Sequence, residues 1–411
     1  MADKQDRTIL HCDCNAFYAS VECVQRPELR QIPMAVGGDQ ESRHGIILAK
    51  NELAKKFNIQ TAETIWQAKR KCPELVVVPP RHDLYAKYSR IVNQIYAEYT
   101  EQVEKFGIDE SYLDVTNSRM LFGDGETIAD ALRQRIKRET GLTISVGVSF
   151  NKVFAKLGSD YKKPDAVTVI SRENYQEIVY PLPVSALLFV GKSTEQTLSG
   201  LCIHTIGELA AADEGRLVKK LGKAGAVLHK YARGEDDEPV RSIYEREEVK
   251  SVGNSITFRR NLTGEAEIKA GIRAIVGSVA ARLRNHALKC STVQVTIKNP
   301  ELKSISRQKP LACPSFLERE ICETAMDIIR ENWNLKLPVR MLSVTGLNLV
   351  EAGQARQLTL FDDENQHEKQ EQLEKTIDAL RNKYGSGSIQ AGNMLCNDFI
   401  VNPKSYDKGR L

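Results

Sequence analysis

Four consecutive side chains near the start of the chain, His11 to Cys14, could each ligate a metal ion. The residues from Thr8 to Cys14 are mostly β-branched or apolar and include no strand breaker, which predicts a β-strand. Side chains alternate between the two faces of a strand, so His11 and Asp13 are expected on one face and Cys12 and Cys14 on the other. Four ligands divided in this way cannot surround one tetrahedral ion, so the cysteines are expected to be small core residues. Asp13 is left at the strand end, just before a predicted helix.

A second acidic site lies in the stretch EKFGIDESYLDV. Strand-like runs at 103–106 and 111–115 flank the adjacent pair Asp109 and Glu110. Adjacent carboxylates repel each other unless a cation or solvent screens their charge. The pair could be a solvated hairpin tip, but apolar residues surround it, and Asp13 ends another predicted strand upstream. Three carboxylates of this kind suit Mg²⁺, which binds oxygen ligands and substrate phosphates.

The chain that must position these acids has 411 residues, which suggests two to four domains. Charged residues make up 27% and hydrophobic residues 41%, as in ordinary soluble globular proteins. No apolar run approaches the roughly 18 residues that cross a bilayer, and the first residues lack the apolar core of a signal peptide. No membrane association and a cytoplasmic location are therefore expected. The nine cysteines include no CxxC pair, which argues against a disulfide framework or a zinc ribbon.

Positive charge is concentrated in the third quarter of the chain. Residues 241–350 contain 18 Lys and Arg against 11 Asp and Glu, whereas residues 1–240 contain 32 against 33. A surplus of one sign in one region is typical of contact with a polyanion, although a mildly basic solvated face is the alternative.

Four motifs together resemble the Y-family translesion DNA polymerases, of the DNA polymerase IV type. In chain order they are DCNAFYASVE from Asp13, GIDESYLD from Gly107, SVGVSFNKVFAKLGSDYKKP from Ser145 and QLTLF from Gln357. Their order and spacing match the family from about residue 8 to residue 361. The resemblance implies an α+β multidomain fold, a right-hand polymerase with a ferredoxin-like palm, small fingers, a helical thumb and a βαββαβ little finger.

The resemblance also implies domain boundaries. The palm is expected at 1–22 and 79–170, the fingers at 23–78, the thumb with helix-hairpin-helix turns at 171–238, a linker at 239–246, the little finger at 247–351, and a tail at 352–411. From about residue 241 the pattern itself predicts strand, helix, strand, strand, helix, strand, which is the order of a little finger. No segment remains for a proofreading nuclease domain.

In the family's palm, two Mg²⁺ ions, for which Mn²⁺ can substitute, join the primer 3′-hydroxyl to the α-phosphorus of a deoxynucleotide. The resemblance implies that Asp13 and Asp109 bridge both ions. Glu110 would hold the ion that activates the hydroxyl, and the backbone carbonyl of Cys14 would hold the nucleotide-side ion. Lys163 corresponds to the lysine that reaches the triphosphate.

Further nucleotide contacts follow from the same resemblance. Tyr18 corresponds to the steric gate, a ring placed where a ribose 2′-hydroxyl would lie, although it could instead be a core aromatic. Phe17 suits the core better but is also expected beside the nucleotide. In the fingers, the family has a tyrosine and an arginine where this chain has Glu52 and Lys55. Lysine lacks the bidentate geometry of arginine, so Lys55 is expected to act as a point charge on the triphosphate and Glu52 to point away.

DNA contacts are expected in the thumb and the little finger. Two stretches, LFVGKS and LGKAGA, resemble helix-hairpin-helix turns whose backbone amides meet DNA phosphates, although Ser193 replaces a usual glycine and ordinary helix-ending glycines are the alternative. The basic surplus of the little finger suits phosphate contacts, which give affinity without reading sequence. The candidates are Gly191, Lys192, Gly222 and Gly225 in the thumb, and Arg259, Arg260, Lys298 and Arg307 in the little finger.

The peptide QLTLF at 357–361 resembles the segment with which such polymerases bind a sliding clamp. Gln357 would enter a polar pocket, and Leu358, Leu360 and Phe361 would enter an apolar one. The acidic, glutamine-rich residues that follow lead into LEKTIDALRNKYG, whose apolar residues recur at helical spacing.

The function implied by these features is low-fidelity, template-directed DNA synthesis past lesions, without proofreading. The expected partners are primer-template DNA, deoxynucleoside triphosphates and a sliding clamp, with the polymerase itself a monomer. Two other classes stay open, namely a nucleotidyl cyclase with a similar palm and a catalytically silent, clamp-bound DNA-binding subunit. A cyclase has no use for a clamp peptide or a basic C-terminal domain, and primer extension separates all three.

Overall fold

The structure, a computed structural model, describes residues 6–38, 45–245, 248–353, 364–385 and 387–389. The chain divides into two compact units, 1–37 with 47–246 and 38–46 with 247–411. None of the helices in the described ranges combines the length and the hydropathy needed to cross a bilayer.

The first unit begins with elements that belong to two sheets. In chain order they are β1 (Ile9–Cys14), α1 (Phe17–Gln25), β2 (Met34–Gly37), β3 (Ile47–Lys50), α2 (Glu52–Lys55), α3 (Ile65–Lys71), β4 (Val76–Val78), α4 (His82–Ala97), β5 (Val103–Lys105), β6 (Glu110–Asp114), α5 (Arg119–Phe122), α6 (Gly125–Thr140), β7 (Ile144–Ser149), α7 (Lys152–Tyr161) and β8 (Val167–Ile170). The three-stranded sheet has the order β3-β2-β4, and the five-stranded sheet has the order β5-β6-β1-β7-β8. β1 therefore lies at the centre of the larger sheet, antiparallel to both β6 and β7.

The two faces of β1 differ as the sequence predicts. Cys12 and Cys14 are buried in a core formed with α4 and α6. Burial raises the pKa of the Cys12 thiol to about 12, so it stays protonated as a core residue. His11 lies on the opposite face with Asp13, and its Nδ1 is 2.8 Å from Ser159 Oγ on α7. The alternation predicted for this strand is confirmed.

Helix α7 packs directly against β7 at Gly147. A Cβ at this position would lie 1.9 Å from the carbonyl oxygen of Ala155 and 2.4 Å from the backbone nitrogen of Ser159, both on α7. Since backbone atoms of a packed helix cannot move aside cheaply, only glycine lets the helix approach the sheet this closely.

Gly147→Ala is therefore expected to lower the free energy of unfolding by about 3 kcal/mol. Thermal denaturation followed by circular dichroism measures the effect. Gly191→Ala is the matched control, because its added Cβ meets no atom within 4 Å and its backbone φ is −85°. Equal melting temperatures for the two variants would contradict the packing role of Gly147.

A small helical domain completes the first unit. Its helices are α8 (Tyr175–Val179), α9 (Lys192–Ser199), α10 (Ile206–Ala211), α11 (Glu214–Leu221) and α12 (Lys223–Ala232). Buried aliphatic residues from these helices and from α7 form one core. The helical character predicted for this region is confirmed.

The segment after this domain is anchored to the five-stranded domain. Val240 is buried against Ile9 and Tyr112. The backbone nitrogen of Arg241 donates to Glu104 Oε2 at 2.9 Å, and its guanidinium donates to Glu104 Oε1 at 3.1 Å. Within the predicted linker, residues 240–243 are thus anchored to the domain, whereas Tyr244 is 72% exposed.

The second unit contains a four-stranded antiparallel sheet of order β11-β10-β12-β9. Two helices, α13 and α14, cover one face of this sheet and share a large apolar core with it. This arrangement confirms the predicted βαββαβ order. The elements are β9 (Ser251–Leu262), α13 (Gly264–Asn285), β10 (Leu288–Lys298), β11 (Ser304–Ser315), α14 (Glu318–Asn332) and β12 (Val339–Glu351).

A final helix, α15 (Glu364–Tyr384), is attached to this unit by ion pairs. Arg284 of α13 is 4% exposed and donates two hydrogen bonds to Asp378, at 2.5 and 3.0 Å, and one to Glu374. Lys289 Nζ lies 2.8 Å from Glu371 Oε1. The helix predicted in the tail is confirmed, whereas the predicted clamp peptide at 357–361 lies outside the described residues.

Candidate active site and DNA-facing surfaces

The three predicted catalytic acids lie at neighbouring positions on β1 and β6. Asp13 and Glu110 are direct partners in the antiparallel pairing of these strands. The carbonyl of Asp109 accepts a hydrogen bond from the backbone nitrogen of Cys14 at 2.9 Å, which fixes the loop before β6 against the end of β1. The sheet therefore brings together acids that are almost a hundred residues apart in sequence.

Two lysines of the α7 region pair with these acids. Lys156 Nζ lies 2.7 Å from Glu110 Oε2 and 3.2 Å from Asp13 Oδ2. Lys163 Nζ lies 2.8 Å from Asp13 Oδ2. Because Lys156 bridges two of the acids, their negative charge is balanced by ammonium groups.

The three acids do not share one electrostatic environment. Burial, together with the charges of Asp13 and Glu110, raises the pKa of Asp109 to about 6. Burial also opposes ionisation of Glu110, but its contacts with His11 and Lys156 outweigh burial and lower its pKa to about 2. Ionisation of Asp109 therefore costs free energy, and a further cation beside it would lower that cost.

These residues fit divalent metal ions by their chemistry. The donors are hard carboxylate oxygens, which suit Mg²⁺, and the Lys156 ammonium already lies within 3.2 Å of both Asp13 and Glu110. Within the described residues, no group of three or more His, Cys, Asp or Glu side chains lies close enough together to hold a metal ion. Lys156 and Lys163 lie against oxygens of Asp13 and Glu110.

Lys156 and His11 are site residues that the sequence reasoning did not assign. Lys156 lies within α7, whereas Lys163 lies beyond the end of this helix, so helical spacing in the sequence gave no signal that both lysines would meet the acids. His11 Nε2 lies 3.4 Å from Glu110 Oε2, and burial lowers the pKa of its imidazole. Sequence alternation placed His11 on the correct face but gave no sign of its contact with Glu110.

The predicted steric gate, Tyr18, is held by a second ring. Its ring stacks on Tyr85 with centroids 4.1 Å apart and an angle of 14° between the planes. Tyr85 is fully buried and donates to Glu22 Oε1 at 2.8 Å. The Phe17 side chain is buried in the core, so only its backbone remains for the expected nucleotide contact. Sequence reasoning missed Tyr85, which is distant in the chain.

In the three-stranded subdomain, Glu52 and Lys55 lie on the short helix α2. Their charged atoms are 3.7 Å apart and both side chains are exposed. The exposed Lys55 side chain agrees with a role as a surface point charge, and Glu52 lies beside it rather than at a distance. The triphosphate contact of Lys55 stays a prediction.

The glycines predicted to meet DNA differ in their surroundings. Gly191 precedes α9 and Gly222 precedes α12, and an added Cβ at either would meet no atom within 4 Å. The Cβ direction of each glycine thus points into open space, although the backbone nitrogen of Gly222 donates to the Val218 carbonyl at 2.8 Å. Lys192 is exposed beside Gly191. Gly225 is buried instead, since its Cβ would lie 2.5 Å from the carbonyl oxygen of Leu217. Gly225 therefore serves helix packing, and its contact with DNA stays a prediction.

The four basic residues of the second unit that are candidates for DNA contact lie in different surroundings. Lys298 of β10 is in register with Ser304 of β11 and with Met341 of β12. It lies on the face of the sheet that carries no helices, next to rows of hydroxyl and amide side chains. Arg259 is exposed next to buried Phe258 and so points away from the core.

The other two basic candidates are placed differently. Arg260 makes a bidentate pair with Glu267 of α13, at 2.8 and 2.9 Å. Arg307 is in register with buried Val295, so it lies on the helix-bearing side. Lys298 and Arg259 are thus the better placed for a phosphate on the open face.

Comparisons with known proteins agree over nearly the whole chain. The model of the impB/mucB/samB family matches residues 12–160, and the model of that family's C-terminal domain matches residues 249–360. DNA polymerase IV of Acetivibrio thermocellus is 49% identical over 95% of this chain and 98% of its own length. DNA polymerase IV 1 of Bacillus subtilis is 39% identical over 95% of this chain and 94% of its own length.

A solved structure has the same fold. A Y-family DNA polymerase chimera superposes with a TM-score of 0.74 and covers 84% of this chain and 99% of its own. Its sequence identity is 24%, so the likeness concerns the fold.

Proposed function

The chain belongs to the Y-family translesion DNA polymerases, within the impB/mucB/samB family, and from this premise we propose that Asp13, Asp109 and Glu110 are its catalytic carboxylates. It is a DNA-directed DNA polymerase, a nucleotidyltransferase whose substrates are DNA and deoxynucleoside triphosphates and whose activity depends on divalent metal ions. The observation that supports the assignment of the acids is their meeting at the ends of β1 and β6, with Lys156 bridging two of them.

We propose two Mg²⁺ ions, with Mn²⁺ as a substitute, held by these acids and by the Cys14 carbonyl. When bound, the ions lower the pKa of the primer 3′-hydroxyl and stabilise charge on the α-phosphate and the leaving pyrophosphate. We propose that Lys163 binds triphosphate oxygens, and the 2.8 Å between its ammonium and Asp13 supports this by putting it beside the proposed metal ligands. Lys156 pairs with Asp13 and Glu110 and so offsets part of their negative charge before an ion arrives.

We propose the domain roles that the family resemblance implies. The five-stranded domain would be the palm, the three-stranded subdomain the fingers, and the helical domain the thumb. The four-stranded domain would be the little finger, whose polar open face would lie along duplex DNA. Synthesis would be of low fidelity and without proofreading, carried out by a monomer in the cytoplasm.

Primer extension tests the proposal. The purified full-length chain, given Mg²⁺, a primer-template and single deoxynucleotides, is expected to add the nucleotide that the template base specifies. A silent DNA-binding subunit would bind the same DNA without extending it. A cyclase would convert a nucleoside triphosphate to a cyclic nucleotide without any DNA.

We also propose that QLTLF at 357–361 binds a sliding clamp. Its flanking residues are polar and cannot bury the two leucines and the phenylalanine, whereas the surface of a partner would. Burial of such side chains is worth roughly 1.5–3 kcal/mol each, enough for useful affinity after ordering costs.

Changing Leu360 and Phe361 together to Ala is therefore expected to leave extension of a short primer nearly unchanged and to abolish its stimulation by loaded clamp. The matched control changes Leu373 and Leu380, exposed residues of α15, to Ala. Equal stimulation of the wild type and the Leu360/Phe361 variant would show that this peptide is not the docking site.

A further inference from the structure

An exposed aromatic ring stands on strained backbone beside the first thumb hairpin. Phe189 has φ of +68°, the left-handed region that favours glycine, and its side chain is 65% exposed. Among the described residues with positive φ other than glycine, it is the only aromatic one. The backbone conformation and the exposed ring both cost stability, and such strain is concentrated at functional sites.

The turn that presents this ring is held on both sides. The backbone nitrogen of Val190 donates to the carbonyl of Leu187 at 3.1 Å, and both side chains are buried in the thumb core. Phe189 is the third residue of this turn, so the positive φ turns its side chain outward between two anchored residues. The ring of Tyr231 on α12 lies beside it, with centroids 6.3 Å apart. The ring is therefore displayed in a defined place.

The residues that follow Phe189 offer a backbone turn and an ammonium group suited to binding a phosphate. Gly191 begins α9 with its Cβ direction open to solvent, and Lys192 is exposed next to it. A DNA strand presents phosphates that alternate with apolar deoxyribose sugars, so a surface that binds one phosphate also meets sugars a few ångströms away. An apolar ring directly beside phosphate-binding groups matches that alternation.

We propose that the Phe189 ring packs against deoxyribose sugars of the primer-template duplex, next to a phosphate bound at the Gly191 hairpin. This inference rests on the proposed DNA-binding role of the thumb and adds a contact that is apolar and independent of sequence. It gives a bulky residue a role at a position where glycine would be relaxed.

Affinity for primer-template DNA, measured by fluorescence anisotropy with the full chain, tests the contact. Phe189→Gly and Phe189→Asn both remove the ring while tolerating positive φ, and each is expected to raise the dissociation constant about tenfold. Because the strain is relieved, the melting temperature of Phe189→Gly should not fall. Phe189→Tyr keeps a ring and is expected to bind within about twofold of the wild type.

Salt dependence separates a sugar contact from a phosphate contact. The slope of log Kd against log salt should be unchanged in Phe189→Gly, whereas Lys192→Ala should reduce it by about one. Cys202→Gly is the matched control, since Cys202 is also exposed with φ of +60° in the thumb, and it should leave DNA affinity unchanged.

Unchanged affinity in Phe189→Gly and Phe189→Asn would overturn the proposal, as expected if the ring serves a protein partner. A loss confined to the glycine variant, or a reduced salt slope, would also overturn it, because backbone flexibility or lost phosphate contacts would then be the cause. Failure of the wild type to extend primers would instead reject the proposed function, and the binding comparison would still report on Phe189.

Discussion

Asp109→Ala and Glu110→Ala are each expected to reduce primer extension by about 1000-fold or more while leaving DNA binding largely intact. Loss of a metal ligand removes several kcal/mol of transition-state stabilisation, and each 1.4 kcal/mol is a factor of ten in rate. Single-turnover extension with Mg²⁺ measures the loss, and anisotropy measures the affinity for DNA. Near-normal extension by either variant would remove the two-metal assignment.

The two variants should differ in stability, which gives an independent check on the site. Asp109 is held beside two other carboxylates with its pKa raised to about 6, so its removal is expected to leave the melting temperature in chelator unchanged or higher. Glu110 is the closest partner of Lys156, so its removal is expected to cost about 1–3 kcal/mol. Glu126→Ala, which removes an exposed acid on α6, is the charge-matched control and should retain activity and stability.

Tyr18→Ala is expected to raise ribonucleotide incorporation relative to deoxynucleotide incorporation by about 100-fold. The ring, stacked on Tyr85, cannot move aside for a 2′-hydroxyl, whereas alanine leaves room for it. Competition between matched ribonucleotides and deoxynucleotides at one template base measures the ratio. Extension with deoxynucleotides should fall much less than discrimination does.

Tyr18→Phe is the control for this gate, because it keeps the ring and should keep most of the discrimination. Tyr85→Leu removes the ring on which Tyr18 stacks and should weaken discrimination without touching the nucleotide itself. Unchanged discrimination in Tyr18→Ala would mean that Tyr18 is only an aromatic of the core.

The sequence by itself determined much of this protein. Alternation along residues 8–14 separated Asp13 from the cysteines, and the acidic pair Asp109 and Glu110 marked the start of a second strand. The order of elements after residue 241 indicated the βαββαβ domain. These features follow from local rules, since strand alternation and helical spacing are properties of short segments that hold wherever the segment lies in the fold.

Only the tertiary structure decided which charges and rings meet. Lys156 bridging Asp13 and Glu110, Tyr85 supporting Tyr18, and Arg260 paired with Glu267 depend on how separate elements pack. Gly225 resembled a DNA-contact glycine in sequence, but the close approach of α11 and α12 gave it a packing role. Such contacts depend on distances between residues remote in the chain. Those distances are set by the packing of the whole core, which no short stretch of sequence encodes.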